Sequence, residues 1–376
     1  MTTLPDTEIA ALKTQLLEAS FPLWSTIGLD DTDGFIERLA PNGQPLHDKR
    51  RARLVGRQVY SFAAAETLGW DGPARAVVRR GVAFLLNHVI DGSRVIPLVD
   101  PDGSPASEGF DLYDQAFVLF GLAAAAGVGE RTEELTATAR AILDGMADWR
   151  HPEAGFEESL PRSLPLKANP HMHMLEASLA WAEVDQDPRW NRLADEIAEL
   201  CLRRFLDPKT GALREYFDGD WGLLDDPEYD VVEPGHQFEW AWLLTRWGLS
   251  RKRDDALMAA RRLIEIAEIY GVSDQNMAVN ELGPDLSLRD GRHRLWPQTE
   301  RIKAFVAAGW IAQNAEARDA ALKVSVAARG LLRFFEHPVK GAWWEHLGPD
   351  GAPHEEASRA SSLYHITCAV LEMNKI

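Results

Sequence analysis

Two rhythms alternate along the chain. In WNRLADEIAELCLRRF, the residues Trp190, Leu193, Ile197, Leu200 and Phe205 return every three to five positions and fall near one helix face. Between such stretches stand short alternating segments beside Gly, Asn, Asp and Pro: GFIERLAPNGQPL, RVIPLVDPDGSP, ALREYFDGDWGLL and WWEHLGPDGAP. These predict small hairpins. The turns begin at Pro41, Pro101, Phe217, Gly283 and Gly348, with AGFEESLP between the second and third. Their spacing is irregular but stays near roughly sixty residues, the signature of an internal repeat.

The helical rhythm predicts helices at 6–20, 49–69, 73–90, 111–127, 131–149, 171–185, 187–206, 234–249, 252–271, 296–314, 316–336 and 356–373. One repeat of two helices and a hairpin cannot bury both helices alone, whereas six stacked in a ring can. The pattern therefore predicts an all-α fold, an (α/α)6 barrel with short β-hairpins in the loops at one mouth, built by residues 1–376 as a single catalytic domain. An open solenoid of the same repeats would need polar caps at both ends.

Composition narrows the partners. No apolar run approaches the ~20 residues that cross a bilayer. The segment MTTLPDTEIAALKTQLLEAS lacks the basic and apolar regions of a secretion signal, so a cytoplasmic protein is expected. A net charge of −18 repels nucleic acid and anionic membranes, and neither is an expected partner. Cys201 and Cys368 lie in apolar helical pattern and are expected to be buried, reduced thiols.

Unusual polar residues open the helix after each hairpin: Arg57; Tyr113 and Asp114; Asn169, His171, His173 and Glu176; His236 and Glu239; Gln298 and Glu300; Tyr364 and His365. In a closed ring these groups meet at one mouth, where helix N-termini add partial positive charge. Histidine suits proton transfer near neutrality. In EPGHQFEW, Glu239 follows His236 by three residues and is placed to hold its imidazole. His171 and His173 diverge around a helix and make a poor metal pair. Neither HExxH, CxxC, GxGxxG, GxxxxGK[ST] nor GxSxG occurs, so no metal and no nucleotide cofactor are expected. His47, His88, His151, His293, His337, His346 and His354 read as surface residues. Trp240, Trp296 and Trp310 fall on helices that would line the mouth, where indole faces stack on sugars. A glycoside hydrolase would instead need two carboxylates, with Asp114, Glu176, Glu239 and Glu300 as candidates. A sugar-binding protein without catalysis would use the same pocket.

Six stretches in order carry a resemblance: RLVGRQVYSFA, DLYDQAFVLFGLA, NPHMHMLEA, EPGHQFEWAWLL, RLWPQTERIKAF and SSLYHITCAV, spanning Arg53 to Val370. Together they resemble the N-acylglucosamine 2-epimerase superfamily, whose members are (α/α)6 barrels. The YHITCA stretch is most similar to its mannose isomerases and their sulfosugar relatives. The resemblance implies Arg57, His173, His236, His365 and Glu239 as catalytic residues. It implies Tyr113 and Asn169 on sugar hydroxyls, with Trp296 and Glu300 near the site. It also implies an aldose–ketose isomerase interconverting D-mannose and D-fructose through ring opening and a cis-enediol, with 2-epimerisation as the alternative. No cofactor is expected. The partner is a monosaccharide, and the chain is a monomer or a homodimer. No cationic cluster for a phosphate or sulfonate stands out, although Arg162, Lys167 and Arg292 flank mouth loops.

Overall fold

The computed structural model describes residues 6–30, 34–107, 109–224 and 226–375. Among the described residues, twelve helices alternate between two rings. The inner ring holds α2 (Ala52–Thr67), α4 (Leu112–Gly127), α6 (Ala168–Val184), α8 (Pro234–Arg251), α10 (Leu295–Ile311) and α12 (Ser362–Met373). The outer ring holds α1 (6–24), α3 (74–89), α5 (132–149), α7 (188–205), α9 (Asp254–Tyr270) and α11 (315–335). Each inner helix packs on the next, and α12 packs back on α2, so the ring is closed. Among the described residues, no helix is long and apolar enough to cross a membrane.

The two rings differ as burial requires. Outer helices such as α7 carry one apolar face, with Trp190, Leu193, Ile197 and Leu200 buried. Inner helices are covered on all sides, and α8 buries nearly every side chain in its first three turns. Gly56 on α2 and Gly121 on α4 let two inner helices touch: a Cβ on Gly121 would lie 2.6 Å from the Cα of Gly56.

Six seams tie the repeats together at the hairpin mouth. The residues before each inner helix pair with the hairpin of the next repeat: Arg50–Arg51 with Leu98–Val99, Phe110–Asp111 with Ser159–Leu160, and Leu166–Lys167 with Tyr216–Phe217. Val232 bridges Leu282, and His293–Arg294 pairs with His346–Leu347. Ser358–Arg359 pairs with Arg38–Leu39 and closes the circle. The hairpin tips fold within their own segments, as at Arg38–Leu39 with Pro45–Leu46 and at the bridges Val99 to Pro105, Phe217 to Leu223 and Leu347 to Pro353.

The seams explain where helix boundaries depart from the periodicity. The helix expected from 49 starts at Ala52, and that expected from 356 starts at Ser362, because the preceding residues are spent in seam strands. The helix expected from 171 begins earlier, at Ala168, with Pro170 in its first turn, where a missing N–H costs nothing. Both cysteines are buried and unpaired.

Candidate active site

The inner helices all begin at the seams, so their first turns converge on a single cavity of about 230 Å³. Of the nine residues expected there, Arg57, Tyr113, Asn169, His173, His236, Glu239, Trp296 and His365 line it. Glu300 does not. It lies beneath the cavity, fully buried, with Oε1 2.8 Å from Nδ1 of His365.

Three histidines share one construction. His173 Nδ1 meets Glu176 at 3.2 Å, His236 Nδ1 meets Glu215 at 2.9 Å, and His365 Nδ1 meets Glu300. A carboxylate on Nδ1 sets the tautomer and leaves Nε2 for the ligand. The carboxylate on His236 is thus Glu215 from a hairpin, not Glu239. The i+3 spacing points Glu239 into the floor of the pocket, where Lys303 stands 3.6 Å from it. Glu233 adds a second carboxylate 3.8 Å from His236.

The sequence offered a signal for Glu215 that its helix-based reading passed over. The carbonyls of Glu37, Pro97, Glu158, Glu215 and Glu345 each accept the N–H at the head of an inner helix. These are equivalent hairpin positions, visible as FIERL, VIPLV, FEESL, LREYF and WWEHL. Three of the carboxylates also pin the next helix: Glu37 accepts Arg51 N–H, Glu158 accepts Lys167 N–H and Glu345 accepts Arg359 N–H. At α8 the same carboxylate takes the imidazole of His236 instead. Gly235 belongs to this arrangement, since a Cβ there would stand 2.4 Å from the Trp296 ring. That ring lies close to two imidazoles of the cavity, 4.8 Å from His236 and 5.8 Å from His365.

The electrostatics of the two rings diverge. Burial disfavours charge on His236, but Glu215 and Glu233 outweigh it and raise its pKa to about 10. Burial, reinforced by Arg57 and Lys303, holds His365 well below the ordinary histidine value. Burial also lowers His173, against the pull of Glu239 and Glu176. At neutral pH the cavity therefore holds one imidazolium and two neutral imidazoles.

Arg57 donates to the Tyr113 hydroxyl at 2.6 Å and stacks over Phe117 at 4.0 Å. Asn169 Oδ1 has no hydrogen-bond partner. The cavity is also lined by Arg51, Arg53, Arg294 and Arg359, a cationic cluster that the sequence reading missed. Arg51, Arg294 and Arg359 occupy equivalent seam positions far apart in the chain, so only ring closure gathers them. Arg51 pairs with Glu37, and Arg53 lies 3.7 Å from Asp114. Among the described residues, no carboxylate pairs with Arg57, Arg294 or Arg359.

Other expectations are corrected. His151 and His293 are buried, not exposed, because each bonds a backbone carbonyl under a hairpin, Gly219 O and Ala278 O. Trp240 is sealed in the core and Trp310 sits near Lys375, so of the three indoles only Trp296 reaches the cavity. Of the four hydrolase candidates only Glu239 lines the cavity; Asp114 instead accepts the N–H of Arg53.

Donor atoms of His173, Glu176 and Glu239, and of Glu239, Glu300 and His365, approach each other closely enough to grip a metal. Both groups share Glu239, beside which stands the ammonium of Lys303, 2.5 Å from Glu300. That ammonium already answers the carboxylates a divalent ion would need. The third group, Glu215, Glu233 and His236, is answered by the imidazolium itself.

Comparison with known proteins gives a consistent picture. Residues 34–369 match the family model described as N-acylglucosamine 2-epimerase. The chain is 42% identical to a protein named mannose-6-phosphate isomerase from Rhizobium meliloti (strain 1021), covering 95% of this chain and 94% of that one. It is 30% identical to a D-mannose isomerase from Thermobifida fusca over 54% of each chain. The solved structure of cellobiose 2-epimerase from Bacillus thermoamylovorans B4167 superposes with a TM-score of 0.88 at 18% identity, covering 99% of this chain and 100% of that one.

Proposed function

This chain belongs to the N-acylglucosamine 2-epimerase family, and from that premise we propose that it is an aldose–ketose isomerase interconverting D-mannose and D-fructose, or their phosphorylated forms. The observation that carries the reading is two imidazoles lining one cavity, His236 charged and His365 neutral, each with Nδ1 against a buried acidic side chain.

The C2 hydrogen of an aldose is acidic only when C1 is a carbonyl, so the ring must open first. His236, as a cation, supplies a proton toward the ring oxygen, and His173 accepts from or holds a hydroxyl. Nε2 of His365 then takes the C2 proton. The electrons move to the C1 oxygen, which takes back the proton His173 accepted at ring opening, and a cis-enediol forms. Arg57 and the surrounding helix N-termini stabilise that charge. His365 returns its proton to C1 while the C2 hydroxyl gives its proton to His236, now neutral, and the C2 carbonyl of the ketose forms. Tyr113, Asn169 and Trp296 hold the sugar, and Glu239 keeps the floor polar.

Two features support these choices. The relative at 42% identity, matched along nearly its whole length, bears an isomerase name. Arg294 and Arg359 suit a phosphate at the far end of the sugar, since arginine forks match phosphate oxygens. The second reading is 2-epimerisation, which an imidazole and an imidazolium on opposite sides of a planar enediol would also perform.

The test is incubation with D-mannose and, separately, mannose 6-phosphate in deuterated water. Ketose carrying deuterium at C1 is the expected result. Glucose or glucose 6-phosphate deuterated at C2 would replace isomerisation by epimerisation. A large preference in kcat/KM for one of the two substrates decides the role of the arginines.

A further inference from the structure

At the floor of the cavity and beneath it, three carboxylates are packed almost out of solvent: Glu239 on α8, which lines the floor, with Glu176 on α6 and Glu300 on α10 below. Among the described residues, both oxygens of Glu239 and Oε1 of Glu176 lack hydrogen-bond donors. One ammonium lies among them. Lys303 is fully buried one turn after Glu300, 2.5 Å from its Oε2 and 3.6 Å from Glu239, with its Nζ 4.0 Å from the Trp242 ring centre. A lysine in such a place loses its hydration and keeps its charge only where carboxylates answer it.

We propose that Lys303 is a positioning residue for the proton transfer: its ammonium holds Glu300 as a carboxylate on Nδ1 of His365, and so leaves Nε2 of that ring free to act as base. The inference rests on His365 being the base of the reaction proposed above.

The argument follows one proton. An ionised Glu300 can only accept, so the hydrogen between it and His365 belongs to Nδ1, and Nε2 carries a lone pair. A neutral Glu300 can donate to Nδ1. The ring hydrogen would then sit on Nε2 and the base would be lost. Burial and the neighbouring Glu239 together raise the pKa of Glu300 well above the ordinary carboxylate value, and Lys303, in contact with its Oε2, is the group that opposes them. The other groups facing this pair are Arg57 on α2, His173 on α6, His236 on α8, Arg294 at the head of α10, and Tyr364 and Cys368 on α12. Arg57 and Arg294 stand at the cavity wall. Lys303 is the cation that touches Glu300 from behind.

The experiment is nitrogen-15 NMR of the histidine rings in the full chain, with and without Lys303→Met, beside kcat and KM at pH 7. The wild type is expected to show His365 protonated on Nδ1. Lys303→Met is expected to move that proton to Nε2 and lower kcat by about 100-fold, the scale of one general base, with KM little changed. Lys303→Arg is expected to keep the wild-type tautomer. An unchanged tautomer and kcat in Lys303→Met would overturn the proposal. Should that variant not fold, Glu300→Gln supplies the neutral partner directly. Its amide is expected to shift the ring proton to Nε2, and a ring still protonated on Nδ1 would overturn the proposal as well. The ring measurement needs no sugar. A shifted tautomer in a protein inactive on both mannose substrates would sink the proposed reaction and leave the role of Lys303 intact.

Discussion

His236 and His365 line the same cavity, both close to one indole, yet one is charged and the other neutral. The difference lies in what stands behind each ring. Behind His236 are two carboxylates, Glu215 and Glu233, with no buried lysine between them. Behind His365 are Glu300 and, within 4.8 Å, Glu239, both beside the ammonium of Lys303, and Arg57 lines the wall in front. Burial works against charge on both, so the count of neighbouring charges decides. An acid and a base are thus obtained from one residue type by unequal support.

The largest effect should come from deleting the base. His365→Ala is expected to lower kcat by about 1,000-fold or more while circular dichroism still reports the helical barrel. Activity within tenfold of wild type would show that the two imidazoles are not divided as described. Glu215→Gln attacks the other side. It keeps the shape but removes one of the two charges that hold His236 protonated, and kcat should fall about 100-fold.

The alkaline limb of the rate profile sharpens the comparison. In the wild type it should lie near pH 10, where His236 loses its proton; Glu215→Gln should draw it toward neutrality. The sign for stability follows. The raised pKa of His236 contributes stability that is fully present below its unfolded value near 6.5, and that is lost as pH rises through about 10. His365 runs the other way: with its folded value depressed, its contribution is present above the unfolded value and lost as pH falls. Urea unfolding between pH 5 and 10 measures both slopes. The smallest effects belong to the rim. Arg294→Met and Arg359→Met should each raise KM for mannose 6-phosphate by about tenfold, the worth of one charge-assisted contact, and scarcely alter KM for mannose. Equal changes for both sugars would detach the arginines from any phosphate.

Much of this was legible before the structure. The alternation of 3.6-residue and hairpin rhythms predicts the two rings, and the hairpin-following helices predict His173, His236 and His365 at one mouth. What escaped was whatever depends on closure. Glu215 lies 21 residues from His236, on a hairpin that periodicity treats only as a turn. Arg51, Arg294 and Arg359 are unremarked seam residues until the first repeat meets the last. Lys303 sits within RLWPQTERIKAF, but a lysine on an amphipathic helix reads as solvated; only an inner helix, covered all round, buries it.

The hairpin glutamates carry one more lesson. Ser362 holds on α12 the place that His236 holds on α8, and its hydroxyl bonds Glu345 as the imidazole bonds Glu215. The site at α8 is thus one socket of a repeated scaffold, furnished with a different plug. Such a barrel is evolvable by rotation: an orienting carboxylate already waits at another seam, and one exchange at the head of an inner helix would give a new acid–base dyad without remaking the backbone.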